Sequence, residues 1–381
     1  MRYSLDAEQA YPRFEAQLRI LLEDRSQAYL TEALKTGVWI YGAGNYGRQI
    51  AALIANSGYE ICGFIDKRGD AVSEIGGISV IHPKSFTADL AQGRCFVLGI
   101  FNPAVDADDI LPFAESFPFR ERLWNADVPE ALGPLANTMC LSSRLHLRAH
   151  LDQIQKVAIA LKDAVSIETY FALLLNRITG RRADYPAYNL KTQYLPPDLP
   201  QLSAPITFVD GGAYTGDTGV MLLDKGVRLS EWLAFEPDIG NFTKLAQTVR
   251  DRSIPGVLFP CGLSDHQHQV SFESDLGMAS RITEGVGAAS TVIQCVAFDD
   301  VLPGHQIDFV KLDIEGAEIA ALDGMSRTIA RSAPRLAVSA YHKPQDLWEI
   351  PLKLLQLLPA AQLYIRQHDH NGLETVAYII P

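Results

Sequence analysis

A glycine-rich turn between an apolar strand and a helix restricts this chain more than any other feature. The run Phe208–Thr218 (FVDGGAYTGDT) ends an apolar segment in the carboxylate of Asp210 and then places three glycines within six positions. The apolar run at 220–223 follows and predicts a helix. In α/β proteins such a turn brings a ligand close to backbone at the carboxyl end of a parallel sheet. The sequence therefore predicts a ligand-binding α/β domain.

The charge of Asp210 indicates which ligand the turn accepts. A carboxylate at the mouth of the turn repels a pyrophosphate and attracts a cationic ligand. S-adenosylmethionine is such a ligand, because it carries an ammonium and a sulfonium and no phosphate. A glycine-rich turn without a ligand is the alternative that this segment alone leaves open. The candidate cofactor contacts in the turn are Asp210, Gly211, Gly212, Ala213 and Gly216.

Two later strand ends supply further candidate cofactor contacts. Glu236 ends the strand Leu233–Phe235, and an acid at the end of the second strand is well placed to accept both ribose hydroxyls. We expect Pro237 to begin the helix that follows. Ser264 and Asp265 come after a third strand, Val257–Cys261, where an adenine ring would lie.

A second motif with candidate catalytic residues is Asp308–Glu318 (DFVKLDIEGAE). It places Asp313 at the end of a buried strand. Burying this carboxylate requires a partner, so we interpret Asp313 as a cofactor or acceptor contact. His342 follows the next strand and is the candidate general base, with His368 a weaker one. Glu315 and Glu318 are expected in the first turn of a helix, where acids suit the dipole. As an alternative, these acids and the imidazole would hold a divalent cation, with Asp313, Glu315, His342 and Asp299 as its ligands.

A second glycine motif lies near the amino terminus. The strand Val38–Tyr41 leads directly into GAGNYG, with Gly42, Gly44 and Gly47, and a helix follows. Asp66 ends the next strand, 19 positions after Gly47, as a dinucleotide or nucleotide site requires. The segment resembles the nucleotide-sugar-binding domain of bacterial sugar acyltransferases, although Lys67-Arg68 replaces a second acid there. A ligand-free module used for packing remains the alternative.

Composition excludes several classes of partner. Lys+Arg is 33 against Asp+Glu 45, a net charge of 33 − 45 = −12, which argues against nucleic acid or an anionic membrane surface. No run of 18 apolar residues occurs, so we expect no membrane span. The first residues lack the apolar core of a signal peptide, and the five widely spaced cysteines indicate free thiols, so a cytoplasmic protein is expected.

The 381 residues predict an α/β protein in which a doubly wound sheet is accompanied by a smaller Rossmann-like domain. We divide the chain into an N-terminal helix (1–36), a nucleotide-binding domain (37–125), a helical connector with a Pro-rich loop (126–204) and a catalytic domain (205–381). The leading helix is expected either to pack on the rest of the chain or to form a dimer, so a homo-oligomer is one of the expected assemblies. The segment 277–289 is glycine-rich and is expected to be mobile.

The C-terminal motifs together resemble the FkbM-type S-adenosylmethionine-dependent methyltransferases. The resemblance covers about residues 195 to 381 and rests on FVDGGAYTGDT, AFEP, VKLDIEGAE, YHKP and the closing YIRQH…ETVAYIIP. It implies a class I methyltransferase fold with an antiparallel final hairpin and methyl transfer to oxygen on a polyketide or sugar hydroxyl. It also implies that the turn holds the methionyl part, Glu236 the ribose and Ser264-Asp265 the adenine.

Three functions follow as hypotheses. The first is an O-methyltransferase acting on a hydroxyl of a sugar, glycan or natural-product small molecule, with a nucleotide or nucleotide-sugar bound by the first domain. The second is an NAD(P)-dependent oxidoreductase that uses the GAGNYG motif. The third is a non-catalytic nucleotide-binding protein that keeps both folds. Formation of S-adenosylhomocysteine separates the first from the third, and an NADH absorbance change supports the second.

Overall fold

The computed structural model describes 27–100, 109–124, 127–133, 143–179, 185–202, 204–273, 281–283, 291–370 and 372–381, with positions 12, 15, 16, 18, 19, 22 and 105. The chain forms two compact units. The first unit comprises Met1–Ala158, Asp163–Tyr188 and Asp369–Leu373, and the second comprises Ile159–Lys162, Asn189–His368 and Glu374–Pro381. The division of the sequence into four segments stays a prediction.

The N-terminal part of the chain alternates short strands and helices. Its elements are α1 (Gln27–Leu34), β1 (Val38–Tyr41), α2 (Asn45–Asn56), β2 (Ile61–Ile65), β3 (Glu74–Ile75), β4 (Ile78–Ile81), α3 (Ala88–Ala91), β5 (Cys95–Leu98), α4 (Leu111–Ser116), β6 (Glu121–Leu123), α5 (Asp127–Leu132), α6 (Arg144–Ala149), α7 (Leu151–Ala160) and α8 (Ala164–Thr179). The sheet has the order β3-β4-β2-β1-β5-β6, and all of its pairs are parallel except β3–β4.

The GAGNYG motif joins β1 to α2 in this sheet. Strand β1 is apolar and buried because both faces of the sheet are covered, with Val38 and Ile40 in one cluster and Trp39 in another. Helix α2 buries Ile50 and Ile54 against the sheet, at the i, i+4 spacing of one helix face. The motif therefore lies at the carboxyl end of the central strand, as its sequence predicts.

The second unit is built on a longer sheet. Its elements are β7 (Ile206–Gly211), α9 (Asp217–Asp224), β8 (Leu229–Phe235), α10 (Ile239–Asp251), β9 (Gly256–Phe259), β10 (Gly262–Leu263), β11 (His268–Glu273), β12 (Arg281–Thr283), β13 (Thr291–Val296), α11 (Phe298–Val301), β14 (Phe309–Leu312), α12 (Glu318–Gly324), α13 (Ser326–Ser332), β15 (Arg335–Ser339), α14 (Asp346–Leu357), β16 (Gln362–Gln367) and β17 (Thr375–Ile380). A small separate sheet has the order β10-β13-β11-β12.

The large sheet has the order β16-β17-β15-β14-β7-β8-β9. Strands β15, β14, β7, β8 and β9 are parallel, and β17 and β16 close the edge as an antiparallel hairpin. Both faces are buried, because Val209 packs in one apolar cluster and its neighbour Phe208 in the other. The parallel α/β sheet with a final antiparallel hairpin is confirmed.

Two helix starts differ from the sequence interpretation. Helix α10 begins at Ile239 instead of Pro237, because the Asp238 carboxylate caps it by accepting the Asn241 N–H at 2.8 Å. Helix α12 begins at Glu318, so Glu315 lies in the bend before it with φ +56°. Cys140 and the segment 277–289 lie outside or mostly outside the described residues, as does most of the leading helix before residue 27.

The described cysteines are free thiols, as the sequence predicts: Cys95, Cys261 and Cys295 are buried and Cys62 is partly exposed. Across the described ranges, no helix combines the length and the apolar character needed to cross a membrane.

The two glycines at the start of α2 give a stability test. A Cβ on Gly47 would lie 2.0 Å from the Gly42 carbonyl oxygen, whereas a Cβ on Gly44 meets nothing within 4 Å. We expect Gly47→Ala to destabilise the first unit by about 1–3 kcal/mol through overpacking. Gly44→Ala is the matched control and should change the free energy of unfolding by less than about 1 kcal/mol. Urea denaturation measures both, and equal effects would contradict this packing.

Candidate active site

The glycine turn after β7 is shaped by left-handed backbone. Gly212 has φ +72°, Tyr214 φ +48° and Gly216, the residue before α9, φ +89°. A Cβ on Gly212 would lie 2.0 Å from the Asp313 carbonyl oxygen, so only glycine fits there. Ala213 is fully buried beneath the turn, and Tyr214 is exposed at its tip. The turn therefore brings bare backbone next to the end of β14.

We expected the Asp210 side chain to face the ligand side of the turn, but it points into the protein interior. It shares the buried face of β7 with Phe208 and is fully buried. Its Oδ1 forms an ion pair with Lys311 Nζ at 3.2 Å, and Lys311 also donates to the carbonyls of Gly211 (3.1 Å) and Gly212 (2.6 Å). Asp210 thus makes no direct contact with a ligand at the turn. Its influence on a ligand is indirect, because it pairs with Lys311, and Lys311 binds the backbone carbonyls of the turn.

The Asp210–Lys311 pair is charged at neutral pH. Burial raises the pKa of Asp210 to about 6, with Lys311 opposing the shift. Burial lowers the pKa of Lys311, but the carboxylates of Asp210, Asp313 and Asp217 outweigh burial and raise it above its usual value. A lysine in the centre of a buried sheet is stable only because these partners surround it.

Glu236 lies at the carboxyl end of β8, beside the turn. Its Oε2 accepts the Tyr214 N–H at 2.8 Å, and its Oε1 accepts the Asp238 N–H at 2.9 Å. A carboxylate has about four acceptor positions, so one on each oxygen remains for a ligand. Burial raises the pKa of Glu236 to about 7, against the lowering effect of the two backbone donors. The residue is fixed in place and still able to accept hydrogen bonds.

Ser264 and Asp265 follow β10, a strand of the small separate sheet. Ser264 is buried and its N–H donates to the Val296 carbonyl at 2.8 Å. Its hydroxyl donates to Asp265 Oδ1 at 3.2 Å, and the Asp265 side chain is half exposed. Pro237 is partly exposed directly after Glu236. Glu236 and Pro237 thus follow β8 of the large sheet, whereas Ser264 and Asp265 follow β10 of the small sheet, and their assignment to ribose and adenine stays a prediction.

Five carboxylates and one imidazole gather after β14 and β15 and before β17. We call this set the acidic cluster; its members are Asp313, Glu315, Glu318, Asp346, Glu374 and His342. Burial raises the pKa of Glu315, Asp346 and Glu374 to about 7 each, and neighbouring carboxylates add to the rise. The cluster therefore favours binding of protons or cations.

Two tyrosines orient Asp313 within the acidic cluster. The Tyr194 hydroxyl donates to Asp313 Oδ2 at 3.0 Å, and the Tyr341 hydroxyl lies 3.3 Å from Asp313 Oδ1. Tyr341 also donates to Glu374 Oε1 at 3.2 Å. Tyr194 is buried, and its hydroxyl holds the Asp313 carboxylate in place.

His342 is surrounded by carboxylates. Its Nδ1 lies 2.9 Å from Glu318 Oε1, and its Nε2 lies 3.4 Å from Asp313 Oδ1 and 3.6 Å from Glu315 Oε2. Burial lowers the pKa of His342, but Glu318, Asp313 and Glu315 outweigh burial and raise it to about 10. The imidazole therefore carries a proton on each nitrogen at neutral pH, and it would have to lose one to act as the general base, a role that stays a prediction.

Strained backbone is concentrated around these groups. Among the described residues, six non-glycine residues have left-handed φ. Four of them line the turn or contact the acidic cluster: Tyr194, Tyr214, Glu315 and Glu374. Such strain costs about 1–3 kcal/mol per residue and is typical of functional sites.

Two other candidates do not join the site. Both ring nitrogens of His368 are occupied, Nδ1 at 3.1 Å from the Asn189 carbonyl and Nε2 at 2.8 Å from the Tyr378 hydroxyl. Burial lowers the pKa of His368 to about 4. Asp299 caps α13 by accepting the Thr328 N–H and hydroxyl, which leaves it outside the cation set considered from the sequence.

In the first unit, Asp66 is already satisfied by its own chain. Its oxygens accept the Ala43 N–H at 2.7 Å, the Arg68 N–H at 2.9 Å and two guanidinium contacts from Arg68 at 2.9 and 2.8 Å. The Arg68 hydrogen bond lowers the pKa of Asp66 to about 2. A ribose would have to displace Arg68, so the expected ribose contact is not available in this structure. Gly42, Gly44 and Gly47 remain together in the turn.

Sequence reasoning missed three parts of the site. Lys311 stands in an apolar strand, FVKL, and a buried lysine signals a buried acid nearby. Tyr194 and Glu374 carry no such signal in the sequence. Tyr194 contacts Asp313, and Glu374 contacts Tyr341, only because tertiary packing brings them together.

The seven-stranded sheet, with its glycine turn, the acid at the end of β8 and the closing antiparallel hairpin, is the class I methyltransferase fold. The family model "Methyltransferase FkbM domain" matches residues 210–369, and the model "PglD N-terminal domain" matches residues 37–105. The chain therefore carries, in sequence order, a PglD-type N-terminal domain and an FkbM methyltransferase domain.

One solved structure shares the fold of this chain. The crystal structure of methyltransferase FkbM from Methylobacillus flagellatus KT is similar over 98% of this chain and 100% of that chain, with a TM-score of 0.78 and 21% identity. Aeropyrum pernix fibrillarin in complex with natively bound S-adenosyl-L-methionine aligns over 50% of this chain and 71% of that chain, at 13% identity and a TM-score of 0.30, too distant to support an argument. No curated protein gives a significant match.

The Lys311 ion pair generates a stability prediction. Lys311→Met should destabilise the protein by about 3–5 kcal/mol, because Asp210 is left buried and uncompensated. The double variant Lys311→Met/Asp210→Asn should cost less than the single one. Lys353→Met, which breaks a more exposed pair with Asp323, is the control and should change stability by less than about 1 kcal/mol. Urea denaturation measures all three, and a neutral Lys311→Met would contradict the pairing.

Proposed function

We propose that this protein is an S-adenosylmethionine-dependent O-methyltransferase acting on a hydroxyl of a sugar, glycan or natural-product small molecule. One observation carries the proposal: the glycine turn has Glu236 fixed on one side and Asp313 on the other. Glu236 contacts the turn at Tyr214 N–H, and Gly212 lies against the Asp313 carbonyl. A nucleoside bound to Glu236 would thus direct its sulfonium toward the acidic cluster.

The acidic cluster suits transfer to oxygen. As the acceptor oxygen forms its bond to the methyl carbon, the sulfur–carbon bond breaks and the sulfonium becomes a neutral thioether. The hydroxyl proton must leave, and Glu374, with a pKa of about 7, is near the optimum for a proton acceptor at neutral pH. Charged His342 and the two tyrosines would hold Asp313 in place. Alignment and exclusion of water would supply most of the acceleration.

The alternatives have weaker support. An NAD(P)-dependent oxidoreductase requires a ribose contact in the first unit, and Arg68 already occupies Asp66. A non-catalytic binding protein would not need an acidic cluster whose carboxylates are held at raised pKa. S-adenosylhomocysteine formation in the presence of a hydroxyl acceptor tests the proposal against both.

Glu236 provides the test of cofactor binding. Glu236→Ala should weaken S-adenosylhomocysteine binding by on the order of 2 kcal/mol, because the ribose hydroxyls lose a charged acceptor. Glu231→Ala removes a carboxylate from the other end of β8 and is the matched control. Calorimetric titration measures each affinity, and unchanged binding by folded Glu236→Ala would overturn the assignment.

The same site predicts a pH dependence. The Glu236 carboxyl has a pKa of about 7 and accepts from the ribose in its charged form. Affinity should therefore be highest above pH 7 and fall as pH decreases from 8 to 6, since the carboxyl takes up a proton. Glu236→Gln cannot titrate and should flatten this profile.

We infer that the first unit binds a nucleotide or nucleotide-sugar at the GAGNYG turn. No acid lies in the first turn of α2, which suits a phosphate at the helix N-terminus. Gly44→Asp places a carboxylate there without a steric clash and should abolish binding of UDP-sugars.

The control for this variant is Gly44→Ala, which adds a methyl group without charge. Calorimetry with a UDP-sugar should separate the two variants, and S-adenosylhomocysteine affinity should be the same in both. Loss of both ligands in Gly44→Asp would show that the two units do not bind independently. Equal UDP-sugar binding by wild type and Gly44→Asp would remove the nucleotide assignment.

A further inference from the structure

Two carboxylates of the acidic cluster face the same ring nitrogen of His342 at distances that a cation could bridge. His342 Nε2 lies 3.4 Å from Asp313 Oδ1 and 3.6 Å from Glu315 Oε2. Ligand atoms bonded to one divalent cation at about 2.1 Å are separated by about 3.0 to 3.5 Å, depending on the coordination angle. Both distances from Nε2 therefore suit a single ion at this nitrogen, which would draw the two carboxylates together around it.

The imidazole is aimed into this space. The His342 side chain is only 4% exposed, and within the described residues its Nε2 has no hydrogen-bond partner. Nδ1 faces Glu318 Oε1 at 2.9 Å, an ion-pair contact that lacks hydrogen-bond alignment. A cation bound at Nε2 would displace the proton that this nitrogen carries at neutral pH, while the Glu318 carboxylate keeps a proton on Nδ1, the usual carboxylate–histidine–metal arrangement.

The supporting residues are ordered around the same three ligands. Glu318 is 1% exposed, and its Oε1 accepts the N–H groups of Ile314 (2.9 Å) and Gly316 (3.3 Å) on either side of Glu315. Its Oε2 has no hydrogen-bond partner among the described residues. One buried carboxylate thus positions both the imidazole and the strained bend that carries Glu315.

We propose that Asp313, Glu315 and His342 bind a divalent transition-metal cation. Imidazole with two carboxylates is a ligand set for Mn²⁺ or a similar ion, and the cation would offset the excess of buried negative charge. The side chains of Asp313 and Glu315 are 22% and 34% exposed, so coordination positions remain open on that side.

The role of the cation rests on the proposed methyl transfer. A hydroxyl bound at an open position becomes more acidic and loses its proton more readily. The proton would pass to Glu374 while the oxygen takes the methyl group from the sulfonium and S-adenosylhomocysteine leaves. A cation at this place also fixes the acceptor oxygen beside the turn that holds the cofactor.

Mn²⁺ titration of the chelator-treated full-length protein tests the site directly. Electron paramagnetic resonance of free Mn²⁺ should show one bound ion per chain. Glu315→Gln, at a side chain that is 34% exposed, should weaken Mn²⁺ binding at least tenfold, and so should His342→Gln. Glu374→Gln is the matched control: it removes the same charge from the cluster without removing a ligand, and Mn²⁺ affinity should change less than threefold.

The outcomes separate this inference from the methyltransferase proposal. Mn²⁺ binding lost in Glu315→Gln and kept in Glu374→Gln supports the site. No Mn²⁺ binding at millimolar concentration by protein that binds S-adenosylhomocysteine overturns the cation site and leaves the methyltransferase. Equal loss in both glutamine variants also overturns it, since it shows general electrostatic attraction. Mn²⁺ binding by protein that does not bind S-adenosylhomocysteine keeps the site and removes the methyltransferase.

Discussion

The ammonium of Lys311 is the interaction on which the candidate site depends. It lies inside the central sheet, pairs with Asp210 and donates to the carbonyls of Gly211 and Gly212. Those carbonyls belong to the end of β7 and to the glycine turn, so one cation links the strand, the turn and β14. A buried charge is tolerated here because each partner is within contact distance and water is excluded. The ligand-facing backbone is thereby held without a side chain occupying the ligand space.

The acidic cluster is the counterpart of this basic centre. Negative charge exceeds positive charge around His342. Burial raises the pKa values of Glu315 and Glu374 to about 7, and the neighbouring Asp313 carboxylate contributes to the rise. A site of this kind is stabilised by a proton, a cation or a cationic ligand. A sulfonium cofactor and a divalent cation both carry the required positive charge. Each would lower the free-energy cost of holding several carboxylates together in a buried cluster.

Most of the fold was predictable from the sequence because apolar runs ending in a carboxylate or a glycine turn mark parallel strands. The positions of Glu236 and Asp313 at strand ends follow from that pattern alone. The orientation of Asp210 does not, because the face of a strand on which a residue lies depends on what covers each side of the sheet. The charge state of His342 depends on three carboxylates that come together only through the bend at Glu315, which sequence periodicity does not describe.

The most direct test is a crystal structure of the protein with S-adenosylhomocysteine bound. We predict that both ribose hydroxyls lie within hydrogen-bond distance of the Glu236 carboxylate. We also predict that the nucleoside lies over the turn at Gly212 and that the sulfur faces Asp313. A ligand bound elsewhere, or a Glu236 that keeps only its contacts to the Tyr214 and Asp238 N–H groups, would contradict the central claim.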